Sequence, residues 1–520
     1  MEDYGTYSRQ RQRIQPMTCV PLRYEVRFKM EVITPTHDSL YYGGSWHKTE
    51  DGVVVDAHSP STGDQLARVS LAGPADVDLA VKAAIEGHKT WRDTAPLERA
   101  AVLHEMARIV ETHGRELATL DAACGGNPVR EMMGDVATAA AQIRLFAGLV
   151  TEMKGASLPV GRDGVNFSVR EPLGVVGRII PFNHPFMFCA GKAAAPLAAG
   201  NSIVIKPPEQ APLSGVRLAE LVGSLFPPGV FNMVTGDRAA GAALASHPDV
   251  AAIALIGSIP TGRAVLRAAA DTIKPVLLEL GGKNALIAFE DCDPEVIAEA
   301  AVDGMNFVWC GQSCGSTSRA FIHDSIYDRV VEALATSVQR FRPGLPLEPE
   351  TTMGAIINSN QYARVLEYVE SGKADGARLL CGGKAPTAPE LRNGYFLEPT
   401  IFVDVQPGMR IAREEIFGPI LSVLRWRDPD EMFDAVNGLP YGLTCSIWSD
   451  DLAVAHRAAM RVEAGYVWIN QVSRHFLGAP FGGYKQSGLG REECLEELLS
   501  FTREKHIHVS LKRRAGVVAK

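Results

Sequence analysis

The chain has 520 residues, of which 46% are hydrophobic and 22% are charged; these values are typical of a folded globular protein and exclude a disordered or fibrous one. The 60 Asp and Glu residues outnumber the 52 Lys and Arg residues, so the formal net charge is −8 and we expect no nucleic-acid partner. At a typical domain size, this length predicts about three domains.

The cysteines and apolar residues bear on the compartment and on metals. Nine cysteines are scattered without a pairing rhythm, which favours reduced thiols and a cytoplasmic location. Cys310 and Cys314 form a close pair, but no second pair or histidine cluster accompanies them, so we expect no metal site. No charge-free apolar stretch has the length of a membrane span, and we expect no membrane partner.

Residues 1–30 differ from the rest of the chain. They contain six Lys or Arg residues against three acids and lack the apolar core of a secretory signal. We interpret them as an N-terminal extension, either a disordered arm or a stretch that precedes the true translation start.

The next elements are helical, and then the pattern changes. Apolar residues spaced by three and four predict helices over 76–91 and 97–112. Short apolar runs, which predict buried strands, then alternate with Ala-rich helical segments; the strands are 174–181, 202–205, 231–234 and 252–256, and the helices are 189–199, 211–226 and 238–246. This alternation predicts an α/β fold with a doubly wound parallel sheet, the architecture of many nucleotide-binding domains. The dinucleotide fingerprint is absent after these strands, so the layout alone indicates a cofactor.

A second α/β stretch follows the first. Its predicted strands lie near 285–288, 319–323, 421–424 and 443–448. The polar, turn-rich segment 155–172 reads as an excursion from the first sheet, and 506–511 alternates in the manner of a strand.

Two residues are candidates for covalent and acid–base chemistry. Cys314 lies between small residues in GQSCGS, which leave its sulfur accessible to a substrate. To act as a nucleophile it also needs a lowered thiol pKa or a nearby base. The alternative is a buried, inert thiol. Glu279 lies within an apolar strand before two glycines, where burial raises its pKa toward the range of a general base. Alternatively, its carboxylate turns outward or pairs with Lys283.

Polar residues at the ends of two predicted strands suggest binding roles. Asn183 follows the first of these strands, where its amide can donate to an oxyanion, or is simply a turn residue. Lys206 and Glu209 follow the next strand, where an acid can accept from ribose hydroxyls, or they are a solvated loop pair.

Taken in order, the motifs resemble those of the NAD(P)-dependent aldehyde dehydrogenase superfamily over about residues 38–508. The matching segments are YGGSW (42–46), SPSTG (59–63), EPLGVVGRIIPFNHP (171–185), AAGNSIVIKPPEQAPLS (198–214), LLELGGKNALI (277–287), GQSCGSTSR (311–319), EEIFGPI (414–420) and PFGGYKQSGLGRE (480–492).

The resemblance implies a role for each matching position. Cys314 is the expected nucleophile and Glu279 the base that activates water. Asn183 and the backbone N–H of Cys314 are expected to hold the oxyanion, and Lys192 matches a lysine kept near the catalytic asparagine. The implied cofactor is NAD, with expected contacts from Lys206, Glu209, Gly257, Ser258, Glu415, Phe417, Pro181 and Leu280. The Glu209 carboxylate would repel a 2′-phosphate, which favours NAD over NADP.

The resemblance also implies a domain organisation and an assembly. We expect an NAD-binding domain over 31–153 and 173–280, a catalytic domain over 281–495, and a β oligomerisation arm over 154–172 and 496–520. A homodimer or homotetramer is expected.

Some positions depart from the family pattern. Phe182 replaces a common tryptophan, and Ile256 and Pro260 replace more usual polar residues around Gly257-Ser258. Gly191 stands where many relatives carry a large aromatic residue, which predicts a wide pocket for bulky or aromatic aldehydes. The expected lining is His184, Met187, Phe188, Gly191, Val308, Trp309, Ser313 and Phe476.

Other functions stay open at this point. An amino- or betaine-aldehyde dehydrogenase would use aromatic residues against a cation, and the candidates are Trp309, Phe186, Phe188 and Phe476. A catalytically silent NAD-binding or structural homologue would be expected to have lost Cys314, Glu279 or Asn183, which are all present. Acyl transfer to coenzyme A is disfavoured because that branch generally lacks the acid at position 279.

Overall fold

The computed structural model describes residues 31–512. The expectations for residues 1–30 and for the last part of the predicted arm, 513–520, fall outside these residues. The helices are α1 Pro74–Trp91, α2 Pro96–Thr112, α3 Gly114–Gly125, α4 Val129–Gly148, α5 Pro185–Gly191, α6 Ala194–Ala198, α7 Leu213–Val222, α8 Arg238–Ser246, α9 Ile259–Ala270, α10 Pro294–Gly304, α11 Asp324–Ser337, α12 Ser359–Ala374, α13 Arg410–Arg413, α14 Pro429–Asn437, α15 Leu452–Arg461 and α16 Leu495–Ser500.

The strands fall between these helices. They are β1 Leu40–Tyr42, β2 Ser45–His47, β3 Val54–His58, β4 Gln65–Ser70, β5 Ser157–Leu158, β6 Gly164–Pro172, β7 Val175–Ile179, β8 Ser202–Lys206, β9 Phe231–Met233, β10 Val250–Gly257, β11 Val276–Leu280, β12 Ala285–Ala288, β13 Arg319–His323, β14 Arg378–Cys381, β15 Thr400–Val403, β16 Ile420–Trp426, β17 Thr444–Trp448, β18 Tyr466–Ile469, β19 Gly488–Leu489 and β20 Thr502–Ser510.

The first large sheet has the strand order β19-β11-β10-β7-β8-β9-β1-β2. Its five central strands, β11 to β9, are parallel, as the alternation of apolar runs and helices predicts. Strands β7 and β8 are buried along their whole length, which explains their continuous apolar sequences. The strand order reverses beside β7, so the loops after β7 and β10 meet at one edge, where open α/β sheets bind ligands.

The second large sheet has the strand order β14-β15-β16-β13-β12-β17-β18 and is parallel except for β14. Its buried residues form one apolar cluster with α10, α11 and α12. Strand β19, which lies at 488–489, pairs with β11 of the first sheet and not with this one. The segment after residue 480 therefore returns to the first sheet and closes the space between the two.

Strands β5, β6 and β20 form a separate antiparallel sheet. Nine residue pairs join β6 to β20, from Thr502 opposite Pro172 to Ser510 opposite Gly164. The segments predicted to form a β arm, which are far apart in the chain, thus pair with each other.

Two predicted helices differ in their limits. The segment 189–199 holds two helices, α5 and α6, because Pro196 has no N–H to donate to the carbonyl of Lys192. The helix expected over 211–226 is shortened to α7, which begins after Pro212. Helix α10 ends at Gly304, and Asn306 and Cys310 in the segment after it both have left-handed φ angles.

No helix within residues 31–512 combines the length and the apolar character that crossing a membrane requires.

Candidate active site

A cavity of about 590 Å³ opens where the segment after β7 and the carboxyl ends of β10 and β11 face the loop before β13. This size lies within the usual range for small-molecule sites. The sequence-predicted residues that line it are Cys314, Glu279, Lys192, His184, Met187, Phe188, Trp309 and Ser313. Residues more than 100 positions apart in the chain therefore meet at one place.

Cys314 lies in the loop between α10 and β13, and Asn284 holds this loop. The Asn284 amide nitrogen donates to the carbonyls of Cys314 (2.6 Å) and Ser316 (3.0 Å), and its oxygen accepts from the Thr444 N–H. Burial and the neighbouring Glu279 carboxylate raise the pKa of the Cys314 thiol. A sulfur at a cavity wall on a pinned loop is positioned for attack but needs a base to become a thiolate.

Glu279, near the end of β11, is buried, and neither of its carboxylate oxygens has a hydrogen-bond partner among the described residues. Burial, and next the negative charge of Glu492, raise its pKa well above the ordinary value. The alternative pairing with Lys283 does not occur, because the Lys283 ammonium also has no partner within residues 31–512. A buried carboxyl of raised pKa beside a cysteine can accept and return a proton.

Asn183 follows β7, next to His184 of the cavity lining, and is 4% exposed. The Asn127 amide donates to its backbone carbonyl at 3.1 Å, which fixes the turn. Among the described residues, no backbone or side-chain acceptor takes the N–H of Cys314.

Lys192 belongs to a buried network of charges. Its ammonium lies 3.0 Å from a Glu492 oxygen and 3.5 Å from a Glu493 oxygen. Arg178 of β7 binds Glu492 at 2.9 Å and Glu497 at 2.6 Å. The surrounding acids raise the pKa of Lys192, which burial alone would lower. Since every charge in this group has an opposite partner, the network fixes the segment 492–497 against the first sheet.

The predicted adenosine-side residues lie along the carboxyl edge of that sheet. Lys206 donates to the carbonyls of Pro207 (2.9 Å) and Gly236 (2.8 Å), and Glu209 is exposed. Ser258 caps α9, with its hydroxyl oxygen accepting from the Thr261 N–H at 3.4 Å. Gly257, paired with Leu280 across β10 and β11, precedes this helix start, where backbone N–H groups favour an anion.

The predicted nicotinamide-side residues lie between the two large sheets. Glu415 accepts from the Gly282 N–H at 3.0 Å, and burial raises its pKa to about 7. Phe417 has a left-handed φ of 55° and packs edge-on against Phe182 at 5.7 Å. Pro181, a further predicted cofactor contact, lies two residues after the end of β7, on the same edge. This arrangement fits an extended dinucleotide. Its three parts are the exposed Glu209, the start of α9 after β10, and Glu415 near the loop of Cys314.

Other predicted pocket and cation-facing residues do not line the cavity. Phe476 is 77% exposed and lines a neighbouring surface groove instead. Val308 does not line the cavity either. Phe186 is absent from the lining because its side chain is wholly buried in the core. Gly191 is also absent from the lining. A Cβ at this position would overlap the side-chain amide oxygen of Gln142. Gln142 therefore takes the room that a larger residue at 191 would fill, and the glycine does not by itself widen the cavity.

Several polar residues of the lining were not predicted from the sequence. Asp135 and Gln142 come from α4; Asp135 lies 2.8 Å from His184, and Gln142 is 1% exposed. His475 lies 3.1 Å from Glu493, and Arg474 lies on the same loop. Asp135 and Gln142 sit on an amphipathic helix far from any motif. Glu493 directly follows the matching segment PFGGYKQSGLGRE (480–492), and this position was the signal for it in the sequence.

No group of three or more His, Cys, Asp or Glu side chains within the described part of the chain is arranged to hold a metal ion.

Comparison with known proteins agrees with this geometry. Residues 46–507 match the model of the aldehyde dehydrogenase family. The chain is 45% identical over 489 residues to the aldehyde dehydrogenase tropH of Talaromyces stipitatus, covering 93% of this chain and 95% of that one.

Two solved structures extend the likeness to the fold. One is an NAD+ complex of an aldehyde dehydrogenase from Bacillus cereus, 38% identical, with a TM-score of 0.88 over 93% of this chain and 97% of that one. The other is the indole-3-acetaldehyde dehydrogenase AldA of P. syringae with NAD+ and IAA, 34% identical, with a TM-score of 0.89 over 93% of this chain and 98% of that one. The chain belongs to the aldehyde dehydrogenase family and is an enzyme of that class.

Proposed function

We propose that the protein oxidises a bulky or aromatic aldehyde to its carboxylic acid, with Cys314 as nucleophile and NAD as cofactor. The observation that carries the proposal is the meeting of the Cys314 thiol and the unpaired, buried Glu279 carboxyl at one cavity. The family of the chain supplies the reaction class.

The first half of the reaction forms a covalent adduct. Glu279 accepts the thiol proton of Cys314, and the sulfur bonds to the carbonyl carbon of the aldehyde. The oxygen of this thiohemiacetal becomes negative, and the Asn183 amide and the free N–H of Cys314 donate to it. Bound NAD supplies the acceptor for the hydride that leaves this carbon.

The second half releases the acid. A thioester now joins the substrate to Cys314, and Glu279 releases the thiol proton to solvent. The regenerated carboxylate takes a proton from water so that hydroxide adds to the thioester carbon. The carbon–sulfur bond then breaks, the proton on Glu279 passes to the sulfur to restore the thiol, and the acid leaves. A base that activates water favours hydrolysis over transfer to coenzyme A.

NAD is favoured over NADP. The exposed Glu209 carboxylate follows β8, on the edge where the adenosine ribose is expected. An acid there accepts from ribose hydroxyls and repels a 2′-phosphate.

The lining supports an aromatic substrate. Phe188 and Trp309 pack edge-on against His184 on one wall of the cavity, with interplanar angles of 75° and 61° and ring centroids 5.5 and 5.3 Å from that of His184. These rings offer apolar faces to a planar substrate. Two of the four aromatic residues considered for a betaine site, Phe186 and Phe476, do not line the cavity, which weakens that alternative.

The test is NADH formation by the purified protein with benzaldehyde, acetaldehyde and betaine aldehyde, using Cys314→Ala as the inactive variant. We expect turnover of benzaldehyde, a rate lower by about a thousandfold or more in Cys314→Ala, and slower reaction with NADP. Cys381→Ala, at a partly exposed cysteine outside the cavity, is the matched control. Equal turnover by Cys314→Ala would refute the covalent route, and a preference for acetaldehyde would refute the bulky pocket.

A further inference from the structure

The charges around the cavity do not cancel evenly. Among the described residues, the fully charged types that line it are Asp135, Glu279, Lys192, Glu492, Glu493 and Arg474. Three of the four acids have a cationic or imidazole partner within 3.5 Å, and Glu279 is the buried carboxyl assigned to proton transfer.

Arg474 is the exception among the cations. Lys192 is neutralised by two acids, whereas the guanidinium of Arg474 makes no ion pair with any residue in 31–512. The residue is exposed and lines both the cavity and the adjoining surface groove, so it lies at the entrance. The Trp468 indole N–H donates to its backbone carbonyl at 2.7 Å, which holds this part of the loop.

Two other residues of the lining carry polar atoms that a ligand does not reach. The indole N–H of Trp309 and the hydroxyl of Ser473 are buried and lack a hydrogen-bond partner among the described residues. Because both atoms are closed off from the cavity, the guanidinium of the exposed Arg474 is a group of this loop that a ligand can reach.

We infer that the preferred substrate is an aromatic aldehyde that carries an anionic oxygen group, a carboxylate or an ionised hydroxyl, bound by Arg474. The aromatic ring lies against the wall formed by His184, Phe188 and Trp309, and the formyl carbon points to Cys314. A planar guanidinium matches a carboxylate with two parallel hydrogen bonds, which makes such contacts strong and selective. This inference rests on the proposed function and names its substrate class.

Kinetics with substrates of equal shape test the charge preference. We expect kcat/KM to be about tenfold higher for 4-formylbenzoate than for the neutral 4-formylbenzamide, as for a hydrogen bond to a charged group. In Arg474→Gln this ratio should fall about tenfold, and in Arg474→Lys it should fall less. The matched control is Arg457→Gln, an exposed arginine on α15 away from the cavity, which should keep the wild-type ratio. Comparison with 4-hydroxybenzaldehyde tells whether a carboxylate or an ionised hydroxyl is the better anion.

The outcomes separate this inference from the proposed function. The inference would be overturned, and the proposed reaction left intact, if 4-formylbenzoate and 4-formylbenzamide are oxidised with equal kcat/KM. It would also be overturned if Arg474→Gln lowers kcat/KM for both substrates by the same factor. If no aldehyde is oxidised, the proposed function fails, and calorimetric binding to Cys314→Ala still decides the inference. Tighter binding of 4-formylbenzoate than of 4-formylbenzamide, lost in Cys314→Ala/Arg474→Gln, supports it; equal binding overturns it.

Discussion

At the scale of single residues, Glu279 has the property that most directly sets how the enzyme responds to pH. It is enclosed, unpaired and close to other acids, so its carboxyl keeps its proton to a higher pH than an ordinary glutamate. In the proposed mechanism, hydrolysis needs the ionised form of Glu279, and this form becomes populated only as the pH rises. Attack on the thioester should slow on the acidic side before the protein itself is affected.

We therefore predict that the steady-state rate rises with pH, since both the attack of Cys314 and the hydrolysis of the thioester need the ionised Glu279 carboxylate. Stopped-flow measurement should show that formation of the first NADH per site and the steady-state rate both slow as the pH falls. In Glu279→Gln both rates should be lower than in the wild type by about a hundredfold or more. Glu290→Gln, at an exposed acid, is the control and should behave as wild type. A wild-type rate that does not change with pH would argue against Glu279 as the base.

At the scale of elements, β7 and the segment 492–497 are joined by charge and not by apolar packing alone. Arg178 of β7 is 1% exposed and binds two acids that are themselves buried. Removing one partner of such a group leaves the others buried and uncompensated, which is far more costly than losing an exposed pair.

Arg178→Met should lower the free energy of unfolding by about 3–5 kcal/mol. Urea unfolding followed by circular dichroism measures the change. Arg68→Met is the matched control, since Arg68 is exposed and lies 3.8 Å from Asp56; its loss should cost less than about 1 kcal/mol. Similar unfolding midpoints for the two variants would show that the buried network adds nothing to stability.

Sequence reasoning worked best where one element carried its own pattern. The strands β12 and β13 match their predicted limits because each is a short, buried apolar run between turns. Cys314 and Glu279 were found through local motifs, and the fold brings them together as expected. Arg474 and Gln142 were missed because their places in the cavity depend on how a loop and a helix pack, and neither lies in a motif. Gly191 shows the same limit: the sequence shows a missing side chain, but not that Gln142 occupies the room.

At the scale of the whole molecule, the sheet formed by β5, β6 and β20 carries apolar side chains that residues 31–512 leave exposed. Leu158, Val160, Val165, Val509 and Leu511 are 39–57% exposed on this sheet or beside it. Scattered apolar residues are ordinary on a surface, whereas a cluster indicates a contact. We propose that the sheet joins copies of the chain into a dimer or tetramer.

Charges placed on this sheet should weaken the assembly. Leu158→Asp combined with Val509→Asp should lower the mass measured by sedimentation velocity at micromolar concentration, with the circular dichroism spectrum unchanged. Leu452→Asp is the control, because Leu452 is 68% exposed at the start of α15, away from the sheet. An unchanged mass in the double variant would exclude this sheet as the contact.

The buried charges of β7 also constrain how the protein is made. Arg178 precedes its partners Glu492 and Glu497 by 314 and 319 residues. A ribosome that adds about 5–20 residues per second needs roughly 15–60 s to supply them. During that interval the Arg178 guanidinium of β7, which is buried in the folded protein, lacks the Glu492 and Glu497 carboxylates that neutralise it. We therefore expect the first sheet to pack fully only after the segment 492–497 has been synthesised. The environment of the Cys314 thiol is then completed late in biosynthesis.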